Sequence, residues 1–126
     1  MIKTKFQSYW EKKKTYNLER RTFEFARDCR FLVKELKNTI SNIEDGKQLV
    51  RSSGSVGANY IEGNEKLGDK DLLFKLRISR KEAKESEYWL KLLKELNENE
   101  SERIHKLLIE ANELRKILSS IVNKLR

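Results

Sequence analysis

From Gln48 to Leu90 the chain reads QLVRSSGSVGANYIEGNEKLGDKDLLFKLRISRKEAKESEYWL. Ser52, Ser53, Gly54, Ser55, Gly57 and Ala58 crowd its first half, while its second half is long, charged and periodic. This predicts a helical hairpin turning near Lys66 to Asp69. A glycine inside a helix costs about 0.5–1 kcal/mol relative to alanine. Several together point to a neighbouring helix that approaches closely. In the second half Leu72, Leu76, Ser79, Ala83, Ser86, Leu90 and Leu93 recur at alternating four and three, an inward seam with small residues at its middle. Those small residues face the ones of the preceding helix if the hairpin forms.

Working outward, Leu18, Phe25, Cys29, Leu32 and Leu36 share one face of a helix expected over Leu18 to Leu36, with Asn17 as its cap. The second helix is expected from Asn42, with Ser41 to Glu44 as a capping box and Ile43, Leu49, Val50, Ser53, Val56, Gly57, Tyr60 and Ile61 inside. Asp69 is expected to cap a third helix over Lys70 to Leu96. After Asn97 to Glu100, a fourth runs almost to Arg126 on Ile104, Leu107, Leu108, Ala111, Leu114, Leu118, Ile121 and Leu125, capped by Asn99 or Ser101. There is no proline in the chain's 126 residues and no β-branched strand run competes. The fold class is therefore all-α, an antiparallel up-down-up-down four-helix bundle over residues 17–126. Residues 1–16 form an amino-terminal arm in which Lys3, Lys5, Lys12, Lys13 and Lys14 alternate with Phe6, Tyr9, Trp10 and Tyr16. Such a mixture suits a nucleic-acid backbone and its bases, and equally suits aromatics packed on the bundle under solvated lysines.

Net charge is +8, from 28 basic and 20 acidic side chains, and favours a polyanionic partner, nucleic acid first. Arg77, Lys81, Lys84 and Lys91 line one face of the third helix, with Arg80 near by. Arg51, Ser55, Asn59 and Glu62 form a polar stripe on the second, suited either to internal pairing or to binding. Catalysis finds little support. Gly63 to Lys70 imitates a phosphate-binding loop, but Asp69 separates glycine from lysine and no Ser or Thr follows. Glu102 and His105 form one Glu-x-x-His, where a di-metal bundle needs two, and His105 is the only histidine. Cys29, the only cysteine, lies on the apolar stripe and reads as core. No metal, cofactor or catalytic residue is expected. Without a membrane span or an apolar signal core, the expected location is cytoplasmic, with no membrane partner.

The block Arg51 to Gly63 (RSSGSVGANYIEG), with Arg80 to Leu93 (RKEAKESEYWLKLL) and Tyr16 to Ala26 (YNLERRTFEFA), resembles the four-helix-bundle family encoded by intervening sequences in bacterial 23S rRNA genes. The resemblance covers nearly everything after the arm. It carries over to Arg51, Ser53, Ser55, Asn59, Glu62 and Gly63, and to Glu85 and Leu90. It implies a homopentamer with a central channel, and kinship with the accessory variability determinant proteins of diversity-generating retroelements, which bind RNA and a reverse transcriptase. The expectation is a non-enzymatic homo-oligomer that binds structured RNA through Lys3, Lys5, Lys12, Lys13, Lys14, Arg77, Arg80, Lys81 and Lys84. A scaffold for a protein partner such as a reverse transcriptase, or a structural oligomer without a ligand, are the alternatives.

Overall fold

The computed structural model describes residues 5–65 and 67–126, with side chains from residue 18 onward. Four helices follow one another: α1 (Lys5–Glu35), α2 (Ile40–Gly63), α3 (Asp69–Leu96) and α4 (Ser101–Leu125), with a single 3-10 turn (Glu98–Glu100) leading into α4. α1 and α3 each pack on both α2 and α4, and among the described residues the backbones of neither diagonal pair come close. The result is the expected antiparallel four-helix bundle, with no strand among the described residues. Helix α1 begins at Lys5, well before Leu18, so the lysine-rich stretch is continuous with the first helix of the bundle. The side chains proposed to give that stretch its binding role, Lys3, Lys5 and Lys12 to Lys14, lie outside the described residues.

The core forms where the periodicity placed it. Leu18, Phe25, Cys29 and Leu32 of α1 are buried, with Leu36 just past its end, as are Leu76, Ser79, Ala83, Ser86, Leu90 and Leu93 of α3. Each large apolar side chain removed from water contributes about 1.5–3 kcal/mol. On α2 the inward line passes through Asn42, Gly46, Leu49, Ser53, Val56 and Tyr60, at four-three spacing. Ile43 and Ile61, expected inside, sit one position off that line and are exposed. Ile43 stood out by its apolarity beside the true inward residue Asn42, and Ile61 follows the inward Tyr60. On α4, Val122 takes an inward place, Ile121 is half-buried, and Leu125, at the last turn, is exposed.

The caps of α2, α3 and α4 all differ from expectation. Thr39, not Ser41, caps α2: its hydroxyl accepts from the Asn42 backbone N–H at 3.1 Å. Starting the helix there frees the Asn42 side chain for a reciprocal amide pair with Asn97, at 2.9 and 2.8 Å, which ties the first turn of α2 to the end of α3. At the start of α3 the cap position belongs to Gly68, whose φ of 135° suits glycine, while Asp69 becomes the first helical residue. Asp69 and Asp71 still favour the helix start through the dipole. α4 starts without a side-chain cap, Glu100 holding that position.

The small residues of α2 divide between two neighbours. The serines serve α3: Ser52 and Ser86 hydroxyls meet at 2.8 Å, and the Ser79 hydroxyl donates to the Val56 carbonyl at 2.6 Å. The glycines serve mainly α1. A Cβ added at Gly57 would stand 2.8 Å from Thr22 Oγ1, and one at Gly46 would stand 2.8 Å from Val33 Cγ1. The α1–α4 side relies on ions instead. Arg21 donates to Glu110 at 3.0 and 2.6 Å and to Glu113 at 2.9 Å, and Arg103 pairs with Glu35. Those hydrogen bonds, the ones to Glu110 above all, hold the Arg21 guanidinium even more firmly protonated.

Two tests follow from this packing. Gly57→Ala should destabilise by about 1–3 kcal/mol, because Thr22 is buried and overpacking there forces a shift. Gly54→Ala meets only the flexible end of Arg30 and should be neutral or gain about 0.5–1 kcal/mol. Urea unfolding of the two variants would compare them, and a stabilised Gly57→Ala would contradict the close α1–α2 approach. Burial pushes the Cys29 thiol up to about 12, so the folded protein should resist thiol labelling at pH 8 and react only on unfolding. Fast labelling of the native state would contradict a core cysteine.

Candidate nucleic-acid interface

Charge on α3 is sorted by direction. Three of its carboxylates are drawn sideways to the adjoining helices. Glu82 is buried and accepts from Arg51 of α2 at 2.8 Å. Glu85 pairs with the same Arg51 and accepts from Trp89 Nε1 at 3.0 Å. Glu87, also buried, accepts from Arg115 at 2.6 Å and from Asn112 at 3.2 Å on α4. A buried carboxylate needs such a partner, since an unpaired one is strongly destabilising.

The outward face is left to cations and aromatics. Lys70, Phe74, Arg77, Lys81, Lys84, Tyr88 and Lys91 follow one another at alternating four and three, and all seven are exposed. This second four-three line is displaced from the apolar one and holds no acid. It runs roughly 32 Å along the helix axis. Among the described residues none of its five cations makes an ion pair. Phe74 is 59% exposed and Tyr88 56%, unusual positions for large aromatic rings. The Tyr88 ring meets the neighbouring Trp89 ring in a T-shaped contact, centroids 5.0 Å apart at 76°.

Arg77, Lys81 and Lys84 therefore come together as the sequence suggested, with Lys91 continuing the line. Arg80 does not join them: seven residues before Glu87, it sits on the α4 flank and is half-buried. Lys70, Phe74 and Tyr88 were missed. Their signal was the same four-three spacing, read on the wet side of the helix instead of the dry one.

The polar stripe of α2 satisfies itself only in part. Arg51 reaches α3, and Glu62 pairs with Lys75 of α3 at 3.3 Å. Asn59 stays on its own helix, donating to the Ser55 carbonyl and hydroxyl at 2.9 and 2.8 Å. Ser53 is buried and donates to the Val50 carbonyl at 3.3 Å. Gly63 is buried against Leu72 and Lys75, and Leu90 is fully inside. These residues mostly join α2 to α3. His105 is exposed, its Nδ1 3.1 Å from Lys94 Nζ. Among the described residues no three His, Cys, Asp or Glu side chains gather as a metal site. No helix there is long and apolar enough to cross a membrane.

No curated protein matches the chain. The crystal structure of a protein with unknown function from the S23 ribosomal protein family of Bacteroides thetaiotaomicron is similar to it, with a TM-score of 0.77 and 32% sequence identity. The similarity covers 87% of this chain and 98% of that one. The sequence model of the 23S rRNA-intervening sequence protein family matches residues 11–120, most of the length, and with the bundle and its Arg51-to-Gly63 block in place the chain belongs to that family.

Proposed function

We propose that this protein is a non-enzymatic homo-oligomeric bundle that binds structured RNA through the outer face of α3. The observation that carries this reading is the run from Lys70 to Lys91 of two exposed aromatics and five cations that make no ion pair among the described residues. Phosphates supply most of the affinity of such a face, and Lys and Arg without internal partners lose least on meeting them. RNA is the favoured polyanion because the family is named for a sequence within 23S rRNA. Lys3, Lys5 and Lys12 to Lys14 extend the same chemistry from the amino-terminal segment.

Self-association belongs to the opposite side of the bundle. Phe23 and Phe31 of α1, with Ile40 and Ile61 of α2, are exposed there, and α1 lies diagonally across from α3. A pentamer, the number that the family resemblance suggests, would carry five times +8, or +40, and would bind one RNA at several faces at once. The same exposed apolar residues favour, as the second reading, a protein partner such as a reverse transcriptase on that side.

The test is the affinity of nuclease-treated protein for a structured RNA across a salt series. Affinity should fall steeply with salt. Reversing Lys81 and Lys84 to Glu should weaken binding and flatten the log–log slope by about 2 for each copy engaged. Absence of binding at low salt would overturn the nucleic-acid reading and move the search to protein partners.

A further inference from the structure

We infer that the α3 face takes unpaired nucleotides rather than duplex, with Tyr88 as a platform on which a base stacks. This deepens the proposed function and rests on it. Cations alone are enough for a duplex backbone, where the bases are already stacked out of reach. Exposed rings between the cations add nothing there. A splayed single strand differs, since every base has a π-face and stacking tolerates any sequence. Unpaired loops are also the parts of a folded RNA that proteins can read most easily.

Tyr88 is the better of the two rings because it is braced. Trp89 meets it edge to face, at 5.0 Å between centroids. The Trp89 indole N–H is held by Glu85 at 3.0 Å, and Glu85 is held by Arg51. A line of contacts thus runs from α2 to the stacking ring, with Arg51, Glu85 and Trp89 as positioning residues. A ring already oriented loses less freedom on binding. Lys84 and Lys91 stand one turn to either side of Tyr88 on the stripe, placed to hold the phosphates flanking a stacked base. Phe74, about 21 Å further along the axis, offers a second ring between Lys70 and Arg77.

The experiment uses the full chain and three probes of about a dozen nucleotides: a mixed-sequence single-stranded RNA, the same strand with abasic sugars, and the blunt duplex. The native protein should bind the single strand best and the abasic strand about 5- to 100-fold more weakly. Tyr88→Ala should lose a similar factor on the single strand, with an unchanged salt slope and no further loss on the abasic strand or duplex. Tyr88→Phe should bind like the native chain. The abasic comparison needs no variant, so it decides even if Tyr88→Ala were poorly folded. Equal affinity for normal and abasic strands, or a Tyr88→Ala loss shared equally by the duplex, would overturn the stacking assignment and leave a phosphate-only contact standing. Failure of the native protein to bind any of the three at low salt, with binding to anionic phospholipid vesicles instead, would overturn the proposed function as well and assign the stripe to a membrane surface.

Discussion

The Arg51–Glu82 ion pair governs how this bundle presents itself. Glu82 is buried between α2 and α3, and a carboxylate there demands a cation. Arg51 supplies it and reaches Glu85 as well. On the other flank Arg115 does the same for Glu87. With three of its carboxylates turned sideways, α3 has only cations and aromatics left along its outer line. The charge of that face is a by-product of how its two flanks are paired.

The same helix shows how close packing and polarity coexist in a small core. Ser52, Ser79 and Ser86 allow the α2 and α3 backbones to approach, and each hydroxyl finds a partner in the other helix or its own. A buried hydroxyl without one would be costly. On the α1 side the same role falls to glycines, which bring no hydroxyl to satisfy. The α1–α4 side leans on Arg21 and Arg103, so the sides of the bundle are not all held by the same chemistry.

Much of this was legible in the sequence. The hairpin, the inward seam of α3 and the core position of Cys29 all follow from apolar spacing, which has one simple physical cause. The inward line of α2 was blurred because Asn42 and Gly46 occupy core positions, one for a hydrogen bond and the other for a close approach that only the fold reveals. The start of α2 was misplaced for a related reason: Ser41 and Thr39 are equally good caps in isolation, and the Asn42–Asn97 pair favours the earlier one. At the candidate interface the cations were visible but the rings were not. Phe74 and Tyr88 look like core residues by type, although their spacing sets them on the wet side of α3 with the cations. Arg80 had the right charge, but its register carries it onto the flank.

None of the seven side chains on the outer line of α3 belongs to the core. The interior therefore places almost no constraint on what stands there. Selection acting on the bundle's integrity and selection acting on its surface operate on separate sets of positions. One scaffold can exchange lysines for acids, or tyrosine for serine, over many generations without passing through an unfolded intermediate sequence. Relatives with the same four helices are free to differ most on this side.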